Sequence, residues 1–186
     1  EESDSYPSSP GQTELGRLLV GELQQMGLDA VIDEHSIVTA TLPATVDGSP
    51  TICWLAHMDT SPEASGKDVD PQVVRDFGGG EIVLKSGLAI PAEDLAGFEG
   101  KTLVTPDGTT LLGADDKAGI AVIMSTLSRL LAQPERPRCG IRVVFTCDEE
   151  IGRGTDRLDL EKIDAVCAYT LDGESAGLIE NETFSA

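Results

Sequence analysis

The sequence predicts an α/β fold, a three-layer sandwich in which a largely parallel mixed sheet is covered by helices on both faces. Three observations carry this expectation. Strand-like runs alternate with segments of helical period along most of the chain, which is the pattern of a helix-covered sheet. Two runs, Thr51-Ile-Cys-Trp-Leu-Ala and Ile141-Arg-Val-Val-Phe-Thr, are apolar almost throughout, as strands buried on both faces are. Polar residues follow such runs directly, and ligands of open α/β sheets gather at the carboxyl ends of strands.

In chain order, Ser9, Pro10 and Gln12 read as N-cap, first helical residue and capping-box partner of a helix with the apolar stripe Leu15, Leu18, Leu19, Leu23 and Met26. Gly27 ends it. A polar turn holding His35 then leads to a strand pair, Ile37 to Leu42 and Thr51 to Ala56, joined across Asp47-Gly-Ser-Pro50, with the second strand central. Ser61 to Gly100 reads as a long surface excursion that returns near the site, with one weak strand at Glu81 to Leu84. Its Gly78-Gly79-Gly80 neither follows a strand nor opens a helix with a downstream Lys-Ser/Thr, which excludes a phosphate-cradling loop. Leu103-Val-Thr and Thr110-Leu-Leu read as a hairpin across Pro106-Asp107-Gly108, delivering Asp115 to a helix. That helix repeats apolar residues at Ile120, Ile123, Met124, Leu127, Leu130 and Leu131 and stops before Pro134. The strand from Ile141, a short helix from Thr155 to Ile163 and a third strand from Ala165 to Leu171 complete the series.

At 186 residues the chain suits one domain with a real core. Its 33 acidic against 13 basic residues leave a net charge of -20, which repels nucleic acid and anionic membrane and argues against both as partners. No apolar run is long enough to cross a bilayer and no charged-then-apolar leader opens the chain, so a soluble cytoplasmic protein is expected. The four cysteines lie in or beside apolar runs without ligand-pair spacing and read as reduced core residues.

Four polar clusters fall at the ends of apolar runs: His57-Met58-Asp59, Asp115-Asp116, Asp148-Glu149-Glu150 and Leu171-Asp172-Gly173. Singly, each is a cap or a turn; four such coincidences predict convergence on one rim. His57 and Asp59 lie two apart, on one side of an extended backbone, so the carboxylate is placed to accept the second imidazole N–H and raise the ring's basicity. Glu149 and Glu150 diverge as neighbours, so one is free to hold a metal while the other faces a water as general base. The candidate ligands are one imidazole, His57, and three carboxylates, Asp115, Glu150 and Asp172. Such mixed nitrogen and oxygen donors suit zinc, manganese or cobalt. Two ions about 3.5–4 Å apart with a shared carboxylate are machinery for hydrolysis.

At these residues the chain resembles the peptidase T family, the tripeptide aminopeptidases among the cocatalytic dinuclear zinc exopeptidases. The matching phrases are His57-Met-Asp-Thr-Ser-Pro, Thr109-Thr-Leu-Leu-Gly-Ala-Asp-Asp-Lys-Ala-Gly-Ile-Ala, Phe145-Thr-Cys-Asp-Glu-Glu-Ile-Gly and Tyr169-Thr-Leu-Asp-Gly, in order; Ser65-Gly-Lys-Asp-Val-Asp-Pro-Gln favours the tripeptidases over their deacylase relatives. The resemblance implies a zinc exopeptidase-like fold, two zinc ions and a short peptide substrate. It implies that His57 and Asp172 bind one zinc, that Asp115 bridges both, that Glu150 binds the second, that Asp59 orients His57 and that Glu149 is the general base. Asp116 and Lys117 match without an assigned step and read as support behind the ligands.

One departure matters. The family takes a further histidine for its second zinc from much later in the chain, and a lid domain for dimerisation and substrate contacts follows the Asp172 strand; this sequence ends at Ala186, and its only other histidine is His35. Residues 1–186 are therefore expected to be a truncated N-terminal portion of the catalytic domain, inactive or very weak by itself, with homodimerisation left to the missing lid. The competing readings are another dipeptidase, deacylase or carboxypeptidase of the same superfamily, a magnesium-dependent phospho-acceptor domain, and a catalytically dead binding fragment.

Overall fold

The elements run α1 (Pro10–Gln25), β1 (Asp29–Ile32), β2 (Val38–Leu42), β3 (Thr51–His57), β4 (Gln72–Val74), β5 (Ile82–Val83), β6 (Ala89–Ile90), β7 (Leu103–Thr105), α2 (Ala114–Leu131), β8 (Gly140–Thr146), α3 (Leu160–Ile163) and β9 (Ala168–Thr170). This computed structural model describes residues 4–173 and 177–180.

Pro10 opens α1 and Gly27, at φ 85°, closes it, with the Leu28 amide reaching back to the Leu23 carbonyl. The apolar stripe is narrower than the sequence implied. Leu19 and Leu23 are buried and Leu15 and Met26 pack at the margin, but Leu18 is 58% exposed. At about 100° per residue, Leu18 and Leu19 cannot both face a flat sheet. The expected capping box is absent too: Ser9 makes no side-chain cap, and Gln12 is buried in a tertiary contact with Asp148.

Among the described residues five strands form the main sheet, in the order β1-β2-β8-β3-β9. The expected pair of β2 with β3 is thus split by β8. The burial pattern gives the reason: Val143, Val144 and Phe145 are fully buried, so β8 is apolar on both faces and takes the innermost place. β2 instead alternates, with Val38, Ala40 and Leu42 in the core and Thr39 and Thr41 on the other face. β3 is flanked on both sides, as its sequence required. β1 is an addition, an antiparallel hairpin partner of β2 whose turn is held by Asp33 Oδ1 accepting from the amides of His35 and Ile37. The β8–β3 and β3–β9 pairings are parallel and the other two antiparallel, so the parallel half of this mixed sheet is the half that carries β3 and β9.

Both long helices lie on one face. Leu19 and Leu23 of α1 and Ile120, Ile123 and Leu127 of α2 share a core with Val143 and Phe145. The other face is covered more thinly, by Ile163 of α3 against Cys53 and Val144. The helix expected from Thr155 to Ile163 forms only over its last turn, capped by Asp159; Thr155 and Asp156 fall in a turn, where short polar side chains compete with helical bonding. β9 is shorter than expected, although amide bonds from Val166 to Thr51 and from Leu171 to Leu55 continue its pairing.

The excursion builds two small antiparallel ladders, β4 with β7 and β5 with β6. β7 therefore does not pair with residues 110–112, and the expected hairpin is replaced by irregular chain in which the Leu111 amide bonds the Ser65 carbonyl. All four cysteines are free; Cys53 and Cys147 are buried, whereas Cys167 is exposed and is no core residue. Among the described residues no helix is long and apolar enough to cross a membrane.

Leu127→Ala should cost about 2–5 kcal/mol of unfolding free energy, as buried leucine truncations do. Leu18→Ala should stay within about 0.5 kcal/mol. Denaturant unfolding of the two variants side by side checks which leucine faces the core.

Candidate metal centre

Parallel pairing sets the rim. His57 is opposite Thr146 in register, so β3 and β8 end together and the chain after each leaves from the same edge. The Leu171 amide bond to Leu55 brings Asp172 to that edge as well. The start of α2 arrives from the side: Asp115 and Asp116 have non-helical backbone angles and a cis peptide between them, and regular helix begins only after them. The two aspartates part, Asp115 facing solvent and Asp116 buried.

His57 is 2% exposed and stands at the centre of the carboxylates. Its Nε2 lies 2.9 Å from Asp115 Oδ1, 3.8 Å from Glu149 Oε2 and 3.9 Å from Asp172 Oδ2. Donor atoms of His57, Asp115 and Asp172 all lie within 4.8 Å of one another. Behind the ring, Nδ1 is 3.3 Å from Asp59 Oδ1, close but without hydrogen-bond alignment, so this contact is mainly electrostatic. Asp59 also accepts the backbone N–H groups of Glu149 at 3.1 Å and Glu150 at 2.9 Å, which ties the end of β3 to the turn after β8.

Three of the four expected ligands thus meet. Glu150 does not join that group among the described residues, though its backbone amide is held by Asp59. Glu149 is half exposed and faces the same imidazole nitrogen as the two aspartates.

Two buried carboxylates hold the scaffold behind these groups. Asp116 accepts the amides of His57 and Gly119, each at 3.1 Å. Asp148, fully buried with φ 60°, accepts from the Ser8 amide and hydroxyl and, at 2.7 Å, from Gln12 Nε2, while its own amide donates to Gln12 Oε1. The sequence reading grouped Asp148 with its acidic neighbours and missed its structural role. The one available signal was an aspartate two residues past the end of a buried strand, a residue type that tolerates left-handed backbone angles. Lys117 Nζ donates to the Met58 carbonyl, placing the one lysine of this motif among the carboxylates.

The electrostatics follow from this crowding. Burial alone would lower the proton affinity of His57, but Asp59, Asp116 and Asp172 outweigh it and raise the imidazole to about 9. Burial likewise works against ionised Asp59, yet the adjacent His57 imidazole and the two amides it accepts hold its carboxyl below the usual range. Asp116 moves the other way, up to about 6, because burial and Asp172 prevail over its two amide donors. Burial lowers Lys117 against the pull of its acidic neighbours, and burial with Asp115 raises Glu150.

The donor set fits a divalent cation: one buried imidazole with a carboxylate behind it, and two carboxylates on the solvent side. A cavity of about 1050 Å³ opens beside Asp115 and Asp172, floored by Tyr169, Leu178 and Ile179.

The fold and the rim define an α/β sandwich with a candidate metal site at the ends of its parallel strands. Residues 53–178 match the model of peptidase family M20/M25/M40, and the chain belongs to that family. Over its whole length it is 51% identical to Peptidase T of Brevibacillus brevis, of which it covers 47%. Among solved structures it superposes on the aminopeptidase PepT of Bacillus cereus with a TM-score of 0.66 at 28% identity, covering 94% of this chain and 40% of that one. A tripeptidase of Staphylococcus aureus gives 0.64 at 26% identity, with the same coverage. The chain spans about half the length of the curated relatives it matches.

A Cβ on Gly119 would collide with the Leu171 carbonyl and the Asp116 carboxylate. Gly119→Ala should therefore destabilise by about 1–3 kcal/mol and displace Asp172, whereas Gly21→Ala, in open space on α1, should stabilise by about 0.5–1 kcal/mol. Thermal unfolding of both variants checks the contrast.

Proposed function

We propose that this chain is the N-terminal portion of the catalytic domain of a zinc-dependent tripeptide aminopeptidase, a cytoplasmic hydrolase of short peptides. One observation carries the reading: His57, Asp115 and Asp172, from three separate stretches of chain, present donor atoms within 4.8 Å of one another at a single rim. The similarity to Peptidase T of Brevibacillus brevis supports the substrate class.

His57 and Asp172 would hold one zinc ion, and Asp115 would bridge it to a second that takes Glu150. The bound ions would polarise the scissile carbonyl and lower the pKa of water at the site. The protein's own groups do the rest. Asp59 keeps the His57 ring turned toward Asp115 and Asp172 and keeps the two glutamates in place through their amides. Glu149, half exposed and near His57 Nε2, takes the proton from the attacking water and returns it to the departing amine. The beginning of α2 and the Asp172 turn border the cavity in which the peptide would lie.

Glu150 lies outside the three-donor group, so the second cation position needs partners beyond the described residues. Further parts of a longer protein would supply these, together with a lid for substrate contacts and homodimerisation. The four free cysteines accord with a reducing cytoplasm.

In the full-length enzyme, Glu149→Gln should lower kcat on a tripeptide by about 10²–10⁴ with little change in KM. Steady-state kinetics on a tripeptide, its dipeptide and an N-acyl dipeptide test both parts of the reading. Undiminished turnover in the variant removes Glu149 from the base role; preference for the N-acyl substrate replaces the aminopeptidase by a deacylase.

A further inference from the structure

At the other end of the parallel strands, away from the metal rim, a second cavity of about 580 Å³ opens between the starts of β3 and β8 and the end of α2. Ile52 and Trp54 give it an apolar wall, and Arg129, Arg136 and Arg138 are among its lining residues. In a chain with 33 acidic and 13 basic residues this is an unusual concentration. Among the described residues no carboxylate lines the cavity and none of the three arginines is in an ion pair.

Arg138 is the most informative of them. Its Nε and Nη1 are buried and, among the described residues, have no hydrogen-bond partner. Its backbone is nevertheless fixed, since its amide donates to Thr45 Oγ1 at 2.9 Å and its carbonyl accepts from the Thr45 amide at 3.0 Å. The Thr45 hydroxyl in turn donates to the Arg136 carbonyl. The loop is thus anchored through its main chain while its guanidinium groups remain free. Guanidinium donors matched to a planar or tetrahedral oxyanion are the usual way to recognise one, and three of them favour a dianion. The indole of Trp54 and the Ile52 side chain offer contact to an apolar body beside it.

We propose that this cavity binds a phosphate monoester carried on an aromatic or apolar group, at a site separate from the peptide-cleaving rim. The arginines hold the phosphate and the Trp54 wall holds the body. The volume is in the range of pockets for small organic ligands.

Isothermal titration of the full-length protein with phenyl phosphate, inorganic phosphate and benzoate tests this. Phenyl phosphate should bind saturably, at least about tenfold tighter than either of the others, and Arg138→Gln should weaken it by at least about tenfold. Arg136→Gln, at an exposed position, should weaken it while leaving tripeptide turnover unchanged. Absence of saturable binding overturns the site. So does phenyl phosphate binding that neither substitution alters, since that ligand would then be held at the metal rim; benzoate binding as tightly overturns the phosphate assignment.

Discussion

The Asp59 carboxylate is the contact on which the rest of the rim depends. One side chain faces the back of the His57 imidazole and accepts the amides of Glu149 and Glu150. It therefore couples two neighbouring parallel strands at their ends and sets its charge against the back of the imidazole. A buried carboxylate with two amide donors and an adjacent imidazole stays ionised, and that fixed charge keeps the imidazole basic. Asp116 repeats the device from the α2 side by holding the His57 amide, and Asp148 repeats it from the N-terminal side by holding Ser8 and Gln12. Three inward aspartates thus position a set of outward acids.

That division explains how much was legible in the sequence. A strand apolar on both faces announces a buried place, and β3 and β8 could be assigned from their residues alone. The clusters after β3, after β8 and at Asp172 were visible because polar residues abruptly end apolar runs, and the parallel register then carries those ends to one edge. Strand order was not legible. Nothing local to Val38–Leu42 or Thr51–His57 says that a strand from a hundred residues later will separate them; only the competition for the innermost position decides it. The hairpin assigned to Leu103–Leu112 failed for a related reason, because β4, in the irregular stretch, offered β7 a partner that turn chemistry could not reveal.

Within the acidic groups, sequence could not tell structural from exposed carboxylates. Asp115 and Asp116 are adjacent and chemically identical, yet one faces solvent and the other is buried against two amides. Asp148 looks like the first of three equivalent acids and is fully buried among hydrogen-bond donors. Burial and the hydrogen-bond partners make the distinction, and both arise from tertiary contacts. Gln12 illustrates the same point on α1: its local role as a capping residue gave way to a bond with a residue more than a hundred positions away.

The proposed peptidase chemistry requires His57, Asp115 and Asp172 to share a cation. Crystals of the protein soaked with zinc and measured at the zinc edge would test this most directly. The expected result is an anomalous peak about 2.0–2.2 Å from His57 Nε2 and from carboxylate oxygens of Asp115 and Asp172. An anomalous map with zinc bound elsewhere, and none between these three side chains, would contradict it.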